Sequence, residues 1–260
     1  MRDKARVAYE SKLLLQARWA PVTNCVLFVR ATPTGAVEAL RDGPRGQYVF
    51  ETTGARLRSQ SVAASSLEGL FEALLPLEGP IGRRQMFVPT GNPDWSAMFT
   101  SDWRGQDAQS PMRWFANVGI ESAAISDTVH APDADGYRAS YGQRKIEMYE
   151  IGADGTPVPK TLGVRAANKR TWEVAGGEVE FAVGNVWEPT ATRVSNRFTH
   201  EHLAEMAARL ELRPFDEDFY LPANEAVLLE RTDLMAGEWM FASLAQARGE
   251  DALPRTVLIC

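Results

Sequence analysis

The chain has 260 residues, 45% of them hydrophobic and 24% charged, with 28 Lys and Arg against 34 Asp and Glu. This balance buries a substantial core and excludes disorder or a coiled coil as whole-chain descriptions. No apolar run approaches the roughly 18 to 20 residues needed to cross a bilayer. The opening MRDKARVAYESKLLLQAR sets only a short leucine run between charges, too brief for a secretory h-region. Cys25 and Cys260 offer no disulfide framework, and a cytoplasmic protein is the expectation.

Charge is distributed unevenly. Residues 1–60 carry ten Lys and Arg against five Asp and Glu, whereas residues 201–260 carry five against twelve. An acidic final quarter argues against nucleic acid as the main ligand, because such binding is dominated by phosphate neutralisation. It suits a basic protein partner, since complementary charge speeds encounter and rejects wrong partners.

In chain order, residues 7–17 can form a helix and residues 24–31 read as a buried strand with Cys25, an inert thiol, at its head. After the turn Thr32-Pro33-Thr34-Gly35, AVEALRDG predicts a short helix stopped by Gly43 and Pro44. Residues 47–52 and 56–62 read as strands around Gly54. Ser65-Ser66 caps a helix with a Leu67, Leu70, Phe71, Leu74 stripe, which Pro76 and Pro80 end. Strands are expected at 84–88 and 95–100, the latter with Trp95, Ala97 and Phe99 on one face and Asp94 and Asp102 closing its turns. Gln109-Ser110-Pro111 starts a helix to Gly119, strands follow at 120–129 and 145–151, and residues 161–170 give no clear signal.

The segments WEVA and EVEFAV around Gly176-Gly177 predict a two-residue hairpin. In that register Trp172 faces Phe181, Val174 faces Val179, and Glu173 faces Glu180, a like-charge pair that needs a compensating cation. Thr199 caps a helix with Leu203, Met206, Ala207 and Leu210 on one side. A strand at 224–231, a helix from Asp233 to about Arg248 and a closing strand in TVLIC complete the chain.

Signatures of familiar chemistry are missing from the sequence: no G-x-G-x-x-G, no G-x-x-x-x-G-K, no G-x-S-x-G, no H-E-x-x-H and no C-x-x-C. The histidines number three, His130, His200 and His202. On a helix His200 and His202 diverge by about 200°, so they do not share a metal ion. The cluster RPFDEDFYLP instead sets Phe215 and Tyr220 around Asp216, Glu217 and Asp218, a pattern of aromatics rimmed by acids that fits a hot spot for a basic protein. Its plainer reading is a loop anchored by its aromatics with the acids left in water. Trp103 and Arg104, in the turn with Gly105 and Asp107, are a further candidate contact if they are exposed together.

The stretches WSAMFTSDWRGQDAQSPMRWFA, GIESAAISDTV and RFTHEHLAEMAARLELRPFDEDFY together resemble a family of uncharacterised bacterial proteins. In that family an aromatic strand, a G-T-D-like turn and a helix precede a strand, and a late helix runs into F-D-x-D-F-Y. The resemblance spans roughly residues 84–230, implies a bacterial cytoplasmic setting, and carries no assigned reaction or catalytic residue.

The expectation is an α+β fold with mixed or mainly antiparallel sheets and helices packed on one face, its two parts (1–80 and 81–260) closely packed or merged in one domain. The functional expectation is a protein-binding protein without cofactor, metal or catalytic residue, acting by occlusion of a basic partner as an immunity protein neutralises a toxin. Its contact residues would come from Trp103, Arg104 and Asp107, from Glu173 and Glu180, and from the 215–220 loop. The alternatives are a carboxylate-based, metal-assisted hydrolase or transferase using Asp94, Asp102, Asp107 or the Glu173/Glu180 pair, and a structural or interaction domain.

Overall fold

A computed structural model describes residues 2–80, 82–105, 109–130, 142–232, 237–252 and 254–259. Helix α1 (Arg2–Glu10) leads through a tight turn at 14–17 into strand β1 (Cys25–Val29). Helices α2 (Pro33–Arg41) and α3 (Pro44–Thr53), strand β2 (Leu57–Val62), helix α4 (Leu67–Phe71) and strand β3 (Leu77–Gly79) follow. Strands β4 (Arg84–Pro89) and β5 (Ser96–Thr100), helix α5 (Gln109–Asn117), and strands β6 (Ser122–Thr128), β7 (Gln143–Ile151), β8 (Pro157–Ala166) and β9 (Trp172–Gly176) come next. The remaining elements are helix α6 (His200–Arg209), strands β10 (Ala226–Arg231) and β11 (Gly237–Ala242), helix α7 (Leu244–Ala247) and strand β12 (Val257–Ile259).

The strands form a nine-stranded sheet, order β2-β10-β4-β5-β1-β6-β7-β8-β9, and a small sheet β12-β11-β3. Every ladder is antiparallel, so the α+β expectation holds. The boundary drawn at residue 80 crosses the large sheet: β1 lies between β5 and β6, and β2 pairs with β10.

Successive residues of a strand point to opposite faces. On β1, Val26 and Phe28 enter one core while Leu27 and Val29 enter another, and β4, β5, β6 and β10 divide the same way. Helices α2 and α5 cover the Leu27 side. Helices α4 and α6, with Leu14, Leu15, Trp19 and Val22, cover the Phe28 side. The helices therefore pack on both faces rather than on one. That is why these central strands read as continuous apolar runs instead of alternating.

Three local expectations are corrected. Residues 47–52 form helix α3, not a strand: Pro44 takes the first helical turn, where its missing N–H costs nothing, and Gly54 ends the helix in the left-handed region at φ 72°. The segment after Thr232 forms β11 and the short α7 instead of one helix. Trp239 is buried, β11 pairs with β3 and β12, and Ser243 with Gln246 makes a capping box for α7; Asp233 lies outside the described residues.

The Gly-Gly hairpin does not form either. Gly176 and Gly177 do take positive φ, 75° and 97°, but the chain then leaves the sheet. Strand β9 pairs with β8 alone, so Glu173 faces Arg165 and Trp172 faces Ala166. A Cβ on Gly176 would sit 2.0 Å from the Thr161 carbonyl oxygen, which explains the glycine by close approach. Phe181 turns into the Phe28-side core, and Lys160 Nζ donates to the Glu180 carbonyl oxygen at 2.7 Å, which holds the departing chain down.

Candidate functional site

The stretch 92–105 proves to be scaffold. Trp95, Ala97 and Phe99 face the core as expected, and Met98 on the reverse face is buried as well. The turn before β5 is closed by Asn92, whose Oδ1 accepts from the Asp94 amide at 3.1 Å, and by the Thr90 hydroxyl donating to the Trp95 carbonyl at 2.7 Å; Asp94 itself stays exposed. At the other end Asp102 is buried beside Glu78.

Glu78 is wholly buried and holds this corner together. Its Oε1 accepts from Arg83 at 2.7 Å and Arg84 at 3.1 Å, and its Oε2 accepts from the Arg83 amide at 2.9 Å and the Ser101 hydroxyl at 3.0 Å. Arg84 also donates to the Leu75 and Pro76 carbonyls. A buried carboxylate is tolerable only with its lone pairs satisfied this fully. The group fastens β3 of the small sheet to β4 and β5 of the large one.

Trp103, 6% exposed, packs into this corner so closely that a Cβ on Gly79 would lie 2.6 Å from its Nε1. Arg104 is exposed, with its guanidinium 4.9 Å from the Trp103 ring centroid. The two are not exposed together, so Trp103 is withdrawn as a contact residue; Asp107 lies outside the described residues. Glu173 is ion-paired to Arg165 at 2.5 Å, and Glu180 is exposed on the segment beyond β9. They do not face each other, so the expected like-charge pair and its compensating cation do not arise; Glu173 pairs instead with Arg165 on the neighbouring strand.

The 211–220 loop is built from the end of α6. The Glu211 amide donates to the Ala208 carbonyl at 2.9 Å and the Leu212 amide to the Ala207 carbonyl at 2.9 Å, while Glu211 takes φ 58°. This is a Schellman ending with a glutamate where glycine is usual. Beyond it Phe219 and Tyr220 are buried, and the Tyr220 hydroxyl donates to the Pro214 carbonyl at 2.7 Å. Burial, and secondarily the Asp216 charge, holds the Tyr220 phenol well above its ordinary range. Tyr220 therefore anchors the loop and is no contact residue. Asp216, Glu217 and Asp218 remain exposed. Arg213, 3.6 Å from Asp216, lies over the Phe219 ring at 5.1 Å, and no ion pair engages Glu217 or Asp218 among the described residues.

Phe215, half-buried, packs at a tilt against His200, ring centroids 4.5 Å apart, and so joins the loop to a polar cluster that the sequence did not disclose. Asp127, buried at the end of β6, accepts from the Tyr9 hydroxyl at 2.7 Å through Oδ1 and binds His200 Nδ1 at 2.9 Å through Oδ2. Burial, then the Asp127 charge, pushes the Tyr9 phenol upward. Arg144 completes the cluster: Nε donates to the Phe198 carbonyl at 2.9 Å, Nη2 to the Ser195 carbonyl at 2.6 Å, and the guanidinium lies 4.9 Å from the Trp172 ring centroid. An Asp-His pair can orient a general base; here the same carboxylate, with Arg144, also fastens α1 and the 195–200 segment to the sheet. The one signal in the sequence was an acid closing the small, buried strand SAAISD; its partners lie 118 and 73 positions away.

His202 does not join His200. Its Nδ1 accepts from the Thr199 amide at 3.3 Å while the Thr199 hydroxyl accepts from the His202 amide, a capping box. Among the described residues no three His, Cys, Asp or Glu side chains come together as a metal site. Burial pushes the Cys25 thiol up to about 11, which keeps it protonated near neutrality. The basic and acidic ends of the chain do meet: Lys12 binds Glu201 at 2.7 Å, and Arg248 donates to the Arg18 carbonyl. No described helix is long and apolar enough to cross a membrane.

No family model, curated protein or solved structure matches the chain. What the arrangement offers chemically is a row of rigidly mounted, solvent-facing carboxylates on the 211–218 loop, with a half-exposed aromatic at its base.

Proposed function

We propose that the chain is a non-enzymatic protein-binding protein that takes a basic partner on the 211–218 loop, in the manner of a bacterial, cytoplasmic immunity protein that covers a basic surface of a toxin. The observation that carries this is the contrast within five residues: Asp216, Glu217 and Asp218 face solvent while Phe219 and Tyr220 are locked in the core. Acids mounted on a rigid turn lose little freedom on binding, so more of their attraction appears as affinity. Their charge steers the encounter, and the half-buried Phe215 supplies apolar contact beside them.

Carboxylate-based catalysis has less support. Asp94 and Asp102 lie at opposite ends of β5, and Glu173 sits on the far edge strand, ion-paired to Arg165. The test is co-expression with the product of the neighbouring gene. The expected result is a stable complex and protection from toxicity, both lost on combining Asp216→Lys with Asp218→Lys. Neither complex nor protection, or a complex indifferent to the charge reversal, overturns the reading.

A further inference from the structure

The large sheet ends differently on its two sides. Strand β9 lies against the turn at 194–196, whereas β2 is an open edge on which residues 58–61 are all exposed. Register identifies which backbone groups are free. Arg56 exchanges bonds with Thr232, its carbonyl accepting from the Thr232 amide at 3.0 Å, and the Arg231 amide turns the other way to the Arg83 carbonyl. In an antiparallel ladder bonding alternates along the strand. Arg58, Gln60 and Val62 therefore bond β10, while Leu57, Ser59 and Ser61 direct their N–H and C=O groups outward. No described residue bonds those groups.

Beside this edge lies an open cleft lined by Phe50, Ala55 and Leu57, with Arg41, Asp42 and Arg56 also on its wall. Phe50 is 53% exposed, with the Arg56 guanidinium 5.7 Å from its ring centroid. Arg41 is spent on Asp42, at 2.8 and 2.6 Å, and on the Ser59 hydroxyl. Neither Arg56 nor Arg58 forms an ion pair among the described residues, although Glu230 stands opposite Arg58 across the ladder. A charged edge alone guards a sheet against stray pairing. An exposed aromatic set beside free backbone donors does the opposite, because it offers an incoming strand an anchor.

We propose that β2 is a docking edge for an extended acidic peptide segment, which adds a tenth strand through Leu57, Ser59 and Ser61. Acidic side chains of the segment would meet Arg56 and Arg58, and an apolar one would enter the Phe50 cleft. Strand addition of this kind takes affinity from main-chain bonds and selectivity from flanking side chains. The site is separate from the 211–218 loop.

The test uses a fluorescent alternating Glu–Val peptide and its Lys–Val counterpart, with anisotropy for affinity and hydrogen exchange to locate the contact. The Glu–Val peptide is expected to bind saturably, more weakly as salt rises, and to slow exchange at Leu57, Ser59 and Ser61. Ser59→Pro removes an outward N–H and is expected to weaken binding about ten-fold or more, as is Arg56→Glu with Arg58→Glu. Circular dichroism checks the folding of Ser59→Pro, and Ser61→Pro provides a second outward N–H. The proposal is overturned by a failure of the Glu–Val peptide to bind, by equal binding of the Lys–Val peptide, or by binding insensitive to both proline variants. Concentration-dependent protection without peptide, with a doubled mass, assigns the edge to a second copy of the chain and also overturns it.

Discussion

Glu78 and the Asp216–Asp218 run are both acids in short, mixed segments, yet they do opposite work. Glu78 is 0% exposed and surrounded by two guanidinium groups, a hydroxyl and an amide; Asp216 has its side chain 57% exposed with one loose arginine at 3.6 Å. The first is a fastener whose charge is fully compensated inside the protein. The second leaves its field in solvent, where it can act on another molecule. Burial and count of donors, rather than acidity, separate structural carboxylates from those available for recognition.

The largest effect is expected at the fastener. Glu78→Ala leaves the partly buried Arg83 and Arg84 guanidinium groups without their carboxylate, and such a loss costs about 3 kcal/mol, to be read from the urea midpoint of unfolding. Asp127→Ala strands the Tyr9 hydroxyl and His200 Nδ1 and is expected to cost about 2–3 kcal/mol, with faster hydrogen exchange across α1. Glu211→Gly should go the other way. Relief of a left-handed glutamate at φ 58° is expected to stabilise the fold by about 1 kcal/mol, measured by thermal unfolding.

Smaller still is the surface tie between Lys12 and Glu201. The hydrogen bond from Lys12 holds the Glu201 carboxyl down at about 2, against an ordinary value of 4.5. A depressed carboxyl stabilises the fold above its unfolded value and loses that contribution as pH falls from 4.5 through about 2. With the Glu201 side chain 63% exposed, the contribution is modest. Glu201→Gln should lower the melting temperature slightly near neutrality, where the contribution is fully present, leave it unchanged at the acid end, and flatten its pH dependence between 4.5 and about 2. Asp216→Lys with Asp218→Lys should shift stability by no more than about 0.5 kcal/mol, as surface changes usually do.

Much of this division was written in the sequence. The apolar runs at β1, β4 and β5 and the Thr199 and Ser66 caps are local signals with local causes, and they survive in the fold; α5 begins at Gln109, with Pro111 third rather than first. The failures have tertiary causes. Two glycines with positive φ look the same whether they close a hairpin or let the chain leave a sheet, and only the buried Phe181 decided between these. Helix α3 carries Tyr48, Val49 and Phe50, residue types that favour strands, and its end signals Pro44 and Gly54 outweigh them. In the 215–220 segment the pattern foretold exposed acids at 216–218, but Tyr220 is a buried anchor, and Trp103, whose candidacy rested on exposure together with Arg104, is buried as well, because their partners across the core are not visible in the local sequence. The Tyr9, Asp127 and His200 cluster was out of reach, since nothing local links residues so far apart.

The central claim, that the exposed acids of the loop are the recognition surface, is tested most directly by calorimetric titration of the partner complex at low and high salt. Wild-type chain should be compared with the chain combining Asp216→Lys and Asp218→Lys. The account predicts that wild-type affinity falls as salt rises and that the variant binds at least about ten-fold more weakly while remaining as stable as wild type. Equal affinity of the two chains, with no dependence on salt, would contradict it.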